Sequence, residues 1–493
     1  MIALPCLLYS MDLTALNLAV PRISVALHPS GAELLWILDI YGFSLAGFLI
    51  PMGNLGDRIG RRRLMLLGAV AFGVCSVAAA FSTSAGMLIA SRAVLGIAAA
   101  TLAPSTLSLI RNMFLDPRQR TVAVSVWASF SAGAAIGPML GGLLLQRFWW
   151  GSVFLLAVPV MALLLILGPA VLPEFRDPNP RKLDLASAAL SLLAVLLVIY
   201  GIKQFAQAGL DTISSTAIAA GLVIGAAFIV RQARMAEPLI DLRLFRMPVF
   251  RTALAVNLLG LLAFDGAFLF IAQYLQLVAG LSPWVAAIWT LPWAAGLVIG
   301  SLAAPFLVRW FPLWLAISTS LVVAAAGFLL LTTLAVSSGP LVVAVWSALF
   351  SIGISPAIAL ATDVIVGVVP PERAGMASGL SETSTELGGA LGIALLGSIG
   401  LAVYRSQVAI PSSLPLQATT AARNTLGAAL AVADQLTVGT AAMLKRAALE
   451  AFTQGLRVTG LISAGIALAL AIVAAVALRR PIPVANPAGP DVP

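Results

Sequence analysis

The stretch Gly53-Asn54-Leu55-Gly56-Asp57-Arg58-Ile59-Gly60-Arg61-Arg62-Arg63 sets one acid, four arginines and three glycines between apolar runs at 34–55 and 64–82. A tight turn with both signs of charge can hold a charge network at a membrane face. Loop arginines alone explain the positive charge, but neither Asp57 nor the glycine spacing. Gly53, Asp57, Arg58, Gly60 and Arg61 are therefore candidates for a gate. A faded copy, Gly300-Ser-Leu-Ala-Ala-Pro-Phe-Leu-Val-Arg309, recurs in the second half and suggests a duplicated architecture.

The whole chain has 493 residues, 61% apolar and 10% charged, against about 45–50% and about 25% in soluble domains. A soluble globular fold is excluded. A hydrocarbon core about 30 Å thick takes about 20 apolar residues per crossing helix, so this length holds well over ten spans. The expected fold class is an all-α polytopic membrane protein in a lipid bilayer. The 28 Lys+Arg against 19 Asp+Glu leave +9, which in a soluble chain would point to nucleic acid. Here the bilayer accounts for it, and no nucleic-acid partner is expected.

Cys6 and Cys75 both fall in apolar runs, and two thiols make neither a disulfide framework nor a structural zinc site. The single histidine, His28, lies in a polar stretch, which removes histidine-ligated metals and Ser/His/Asp chemistry. None of Lys182, Lys203 and Lys445 follows a glycine, so the phosphate-binding nucleotide loop is absent. No metal, cofactor or catalytic residue is expected.

Apolar runs bounded by charges, Pro and Gly predict fourteen spans, near 2–21, 34–55, 64–82, 86–109, 121–145, 152–172, 184–203, 213–231, 249–278, 284–307, 313–335, 341–368, 375–404 and 456–478. With a cytoplasmic N-terminus, nineteen Lys and Arg collect on the cytoplasmic side. The other side has eight: Arg22, Arg147, Lys203, and five (Arg405, Arg423, Lys445, Arg446, Arg457) in or bordering the long segment 405–455, which short-loop counting discounts. Nineteen against three orients the chain, with both termini cytoplasmic. Arg92 lies within span 4. The segment 405–455 suits one or two short external helices or a poorly ordered loop, and 481–493 reads as a flexible cytoplasmic tail.

Span 5 contains Gly133-Ala-Ala-Ile-Gly137-Pro138-Met-Leu-Gly141-Gly142, with glycines four apart on one face and a proline beside the middle one. Such a face permits close backbone approach and a kink. Further motifs are Met11-Asp12-Leu-Thr14-Ala-Leu-Asn17 to Pro21 in span 1, Leu35-Trp36-Ile-Leu-Asp39-Ile-Tyr41 in span 2, Ser91-Arg92 to Gly96 in span 4, and Ser381-Glu382-Thr-Ser-Thr-Glu386-Leu-Gly388 in span 13. With these residues the chain resembles the major facilitator superfamily, and within it the fourteen-helix drug:proton antiporters of the quaternary ammonium and multidrug exporter branch. The likeness covers nearly the whole chain.

The resemblance implies a major facilitator fold: a six-helix bundle at 1–172, two inserted helices with cytoplasmic linkers at 173–248, and a second six-helix bundle at 249–480. It implies a bacterial inner-membrane location, rocking of the bundles around a central cavity, proton or drug coupling at the span 1 acid, proton handling at the span 4 arginine, and a latch at the charged turn. Two departures stand out. Gly296-Leu297-Val298 is apolar where some relatives exporting divalent cations have an acid, and Ser381 stands where some have a second glutamate.

Independently of family, Asp12, Asp39, Asp265, Glu382 and Glu386 fall well inside predicted spans, where a charged acid costs roughly 2.5–3.5 kcal/mol. Each must be protonated, paired or facing water. Arg92 is the basic residue read at comparable depth, so at most one acid is neutralised that way. Glu382 and Glu386 share a helical face and favour one shared proton, which a cation could displace. The competing reading for each acid is an interhelical hydrogen bond that orients helices. Asp363 reads as a helix-end or gate residue. Cavity walls suited to lipophilic cations draw on Trp36, Tyr41, Trp127, Phe264, Phe268, Tyr274, Trp289 and Trp293.

The function this supports is a monomeric proton-coupled antiporter exporting small lipophilic cations such as biocides, dyes and cationic antibiotics. An exporter of one metabolite or self-made toxin is the alternative within transport. A non-transporting membrane sensor leaves the acids and gate-like turns without a purpose, and an intramembrane enzyme lacks a nucleophile with a base. Asp12→Asn and Glu382→Gln are expected to lose proton-driven efflux while retaining expression.

Overall fold

In hydrocarbon each backbone amide and carbonyl must find its partner within the protein, so long apolar runs close into helices. A computed structural model describes residues 4–113, 133–174, 176, 184–208, 211–235, 242–369, 374–411 and 414–479. Every regular element among them is helical. In chain order these are α1 (Leu4–Leu27), α2 (Gly31–Ile59), α3 (Arg61–Ala80), α4 (Ala85–Met113), α5 (Gly133–Arg147), α6 (Ser152–Leu155), α7 (Ala157–Val171), α8 (Leu185–Ala208) and α9 (Thr212–Arg234). There follow α10 (Pro248–Gln273), α11 (Pro283–Trp310), α12 (Leu313–Leu330), α13 (Pro340–Gly367), α14 (Ala374–Gln407), α15 (Leu416–Asn424), α16 (Leu426–Ala433) and α17 (Val438–Ala477).

Local chemistry sets the ends. Ser30 caps α2, its hydroxyl accepting from the Glu33 amide while the Glu33 carboxylate accepts from the Ser30 amide. Asp211 and Ser214 do the same for α9, and Ser282 with Pro283 opens α11. His28 is exposed in the α1–α2 turn at φ +46°.

Among the described residues twelve helical segments are long and apolar enough to cross a bilayer, and Ala15–Leu27 is a shorter apolar helix. The twelve correspond to all of the expected spans except 1 and 5. Most of the first half of span 5 lies outside the described residues. The boundaries of span 14 need correction: α17 is one helix of 40 residues that begins well before the expected start at 456. Of the two readings of 405–455, helix prevails over loop, with α15, α16 and the first turns of α17 filling most of it. The charged turn is also shorter than read. Helix α2 continues through Ile59, and Gly60 alone separates it from α3.

The packing repeats itself. Helix α2 lies on α4 as α11 lies on α13; α3 on α7 as α12 on α17; α1 on α5 as α10 on α14. Each second pair stands eight expected spans after the first. Two seams join the sets, α2 with α14 and α5 with α11, and exchanging the sets turns one seam into the other. Helices α8 and α9 pair with each other at the periphery, where 22% and 17% of their apolar windows are buried against 78% in α2. Helix α8 touches both α2 and α14 along their seam.

At the end that carries the α1–α2 turn, α15 and α16 cover the helices. Tyr404 on α14 donates its hydroxyl to the Ala422 carbonyl (2.8 Å), and Gly427 lies close to Ser24 of α1. Asp434 and Lys445 pair at 2.7 Å between α16 and α17.

Candidate functional site

A cavity of about 400 Å³ lies between the two sets of helices. Asp39 of α2, Asp265 of α10 and Glu386 of α14 are on its wall, with Asn17, Thr385 and Ser301 as neutral polar groups. Its aromatic side is a stack: Phe268 and Trp293 have ring centroids 4.1 Å apart at 17°, and Phe264 lies 5.4 Å from Trp293 at 25°. One cavity thus combines an apolar aromatic wall with carboxyl groups.

The other aromatic candidates do something else. Tyr41 is fully buried beneath the Arg92 guanidinium, 4.6 Å from its ring centroid. Tyr274 donates its hydroxyl to the Ala335 carbonyl (2.5 Å) at the far end of α12. Trp36 packs outside the cavity, and Trp289 is half-buried against the core rather than on the cavity wall. Trp127 lies outside the described residues.

The five acids sort into two kinds. Asp12 is ion-paired to Arg92, whose side chain is wholly buried and also donates from Nε to the Ile37 carbonyl at 3.1 Å. One arginine thereby links α1, α2 and α4. Asp39 is paired to Lys203 of α8 at 2.6 Å, both side chains buried. Lys203, expected on the outer side, is thus buried, and Arg92 is not the sole deep basic partner. Lys203 is the last residue of the apolar run expected for span 7, where a loop charge and an interior one look alike, whereas α8 runs on to Ala208.

Among the described residues Asp265, Glu382 and Glu386 have no basic side chain within ion-pair distance. All three are partly exposed and belong to α10 and α14. Glu382 and Glu386 are one helical turn apart, and Gly389, nearly one turn further on, lies directly against the Asp265 carboxylate. Two turns of α14 thus bring three carboxyl groups together. Nearby, fully buried Asn257 donates to Ser381 (2.9 Å) and Thr362 (3.0 Å), a neutral network. Asn257 was not singled out from sequence; its signal was a lone amide in an apolar span. Asp363 is exposed near the end of α13.

At the charged turn, Gly60 has φ +108°, a conformation that side-chain-bearing residues rarely adopt. Arg61 is nearly buried beside Gly56. The unforeseen member is Glu174, just after α7. Its carboxylate sits against Gly60, accepts from the Arg62 amide (3.1 Å) and pairs with the Arg62 guanidinium (3.7 Å), which also donates to the Leu172 carbonyl (3.1 Å). Gly53 and Arg58 are on the last turns of α2, and the side chain of Asp57 lies outside the described residues.

The glycine face of α5 has a partner on each side. A Cβ at Gly141 would come within 2.9 Å of the Ala15 Cβ in α1, and one at Gly142 within 2.8 Å of the Pro283 carbonyl in α11. Gly137 and Pro138 are buried, and Gly133 begins the helix as described. Gly142 thus closes the α5–α11 seam at the end that carries α15 and α16. Leu35 against Gly397 does the same for α2 and α14.

The family model described as Major Facilitator Superfamily matches residues 3–393. The multidrug efflux pump LfrA of Mycolicibacterium smegmatis is 43% identical over 480 residues, covering 97% of this chain and 95% of that protein. The methyl viologen resistance protein SmvA of Salmonella typhimurium is 36% identical, covering 87% of each. Among solved structures, a bacterial homologue of the human lysosomal transporter Spinster superposes with a TM-score of 0.64 at 18% identity, over 97% of this chain and 95% of that one. The repeated packing, the charged turn and the glycine face of α5 are what such a match requires, and the chain belongs to the Major Facilitator Superfamily, in the branch of its multidrug exporters.

Proposed function

We propose that this protein is a proton-coupled antiporter that exports lipophilic organic cations by alternating access. The observation that carries the reading is the cavity, lined both by an aromatic stack and by Asp265 and Glu386, carboxyl groups without basic partners. A carboxylic acid in a half-wet cavity exchanges its proton as its surroundings change. A cation and a proton then compete for Asp265, Glu382 and Glu386, and that competition couples export to the proton gradient. The relatives named for multidrug efflux and for methyl viologen resistance support small organic substrates.

On this reading the chain has fourteen spans in two six-helix bundles, 1–172 and 249–480, in a bacterial inner membrane, and works as a monomer. The arginine-rich turn is cytoplasmic. With Lys203 removed from the loop count, the bias of short-loop charges sharpens to nineteen against two. The sealed end is then external and the cavity faces the cytoplasm. Gly60, Arg62 and Glu174 latch the cytoplasmic ends of α2, α3 and α7. Asp12, already matched by Arg92, orients helices and joins the proton path by exchanging that partner.

A second reading, export of a single self-made toxin by the same chemistry, draws support from the tetracenomycin C resistance and export protein of Streptomyces glaucescens, 32% identical over 80% of this chain. Proton release from detergent-purified protein, titrated with tetraphenylphosphonium and other cations, tests the antiport. Binding without any pH change would defeat it. A response to one chemotype only would favour the second reading.

A further inference from the structure

The peripheral pair α8–α9 contributes one buried charge to the interior, and that charge pairs with Asp39 on the cavity wall. Lys203 extends from α8 into the α2–α14 seam, where its ammonium meets the Asp39 carboxylate at 2.6 Å. It lies 3.7 Å from the ring centroid of Trp36. Neither Asp39 nor the Lys203 ammonium has another side-chain hydrogen-bond partner. A small apolar cluster, Phe43, Ile199, Ala390 and Ala394, fixes α8 at this seam. A carboxylate and an aromatic face are what a lipophilic cation would seek in the cavity itself, and here a tethered ammonium occupies them.

We propose that Lys203 is a specificity-determining residue: a built-in cation that cancels Asp39 and so sets how much negative charge the cavity offers to cationic substrates. The inference rests on the reading of the cavity as a cation site. With Lys203 in place, the acids free to attract substrate are those of α10 and α14. Removing its charge leaves the Asp39 carboxyl at the wall without a partner, able to ionise against a bound cation. The gain is electrostatic and scales with ligand charge. At an effective dielectric of about 20 and a separation of roughly 10 Å, a monocation gains about tenfold in affinity and a dication about a hundredfold. A neutral ligand gains nothing. Asn and Met at the two positions together restore the balance, because the native pair is also neutral overall.

The test is equilibrium binding to purified full-length protein with one skeleton in three charge states: 4,4′-bipyridine, its N-methyl monocation, and methyl viologen, the dication. In Lys203→Met the dication is expected to gain roughly the square of the monocation's factor, with bipyridine unmoved. Lys203→Arg keeps the wild-type ratios. Asp39→Asn with Lys203→Met returns to them, and if Lys203→Met fails to fold, Lys203→Gln, neutral but able to hydrogen-bond the Asp39 carboxylate, carries the test with the ratios expected of Lys203→Met. Wild-type ratios in Lys203→Met, or equal changes for all three ligands, would overturn the inference while leaving cation binding intact. Wild-type protein that binds neither cation would instead overturn the cation-site reading on which it rests.

Discussion

The carboxylate of Glu174 occupies the place where a side chain at Gly60 would stand. The single residue between α2 and α3 therefore has two reasons to be glycine, its positive φ and this contact. Gly60→Ala is expected to cost about 1–3 kcal/mol from backbone strain alone and to dislodge Glu174 from the Arg62 amide. Thermal unfolding of the purified variant reads the cost. An unchanged melting temperature would mean that the turn relaxes freely and is no latch.

The acids should separate by partner. Asp12→Asn leaves a wholly buried Arg92 unmatched and Asp39→Asn does the same to Lys203, each a loss of about 3–5 kcal/mol. Asp265→Asn and Glu386→Gln orphan no cation and are expected to stay within about 1 kcal/mol of wild type, while losing cation-induced proton release. For Asp12→Asn, the buried Arg92 partner argues against the retained expression expected from sequence. Fluorescence-detected unfolding of the four variants, with proton release alongside, checks the division.

Gly389 guards the Asp265 carboxylate in the same steric way. A methyl group at Gly389 would stand on Oδ2, so Gly389→Ala should push the carboxylate out of place and weaken cation binding. In an Asp265→Ala background the same change meets no carboxylate and adds nothing. A double-mutant cycle on cation affinity measures this, and additive effects would contradict it.

Just ahead of the candidate span Leu185–Phe205, Asp184 caps α8 and anchors α9. Burial works against its charge, but the Ser187 hydroxyl and amide and the Arg231 guanidinium (2.9 Å) outweigh it and hold the carboxyl below its ordinary value of 3.8. A carboxylate lowered on folding stabilises above the ordinary value and ceases to do so as pH falls through its folded value. Asp184→Asn is thus expected to lose roughly 1 kcal/mol at neutral pH, a figure kept small because Arg231 is solvent-exposed. The difference between variant and wild type should shrink only below about pH 4. Unfolding midpoints across pH test the sign.

Much of this was legible in the chain because bilayer physics writes large signals. Apolar runs located most spans. The glycine spacing of span 5 marked a close approach that Ala15 and Pro283 indeed supply. What escaped were pairings over long separations. Lys203 stood at the edge of an apolar run, where a snorkelling lysine and an interior one look alike. Glu174 was a lone acid in a loop, and nothing local linked it to Gly60, 114 residues earlier. The stack of Phe264, Phe268 and Trp293 could be named, but not told apart from Trp36 and Tyr41, whose rings serve Lys203 and Arg92 instead.

Helix α17 is unbroken over 40 residues, a rod of about 60 Å whose outer turns carry α16 through the Asp434–Lys445 pair. It packs on α10, α12 and α14, so α15 and α16 travel with that set of helices. They also rest on the other set, where Gly427 meets Ser24 and the Asn424 carbonyl lies beside Gly31. Parting the two sets at this end must break those contacts. On the alternating-access reading, the resting balance between shut and open is weighted by residues remote from the cavity, and substitutions at Ser24 or Gly427 are expected to retune the turnover rate without altering what is recognised.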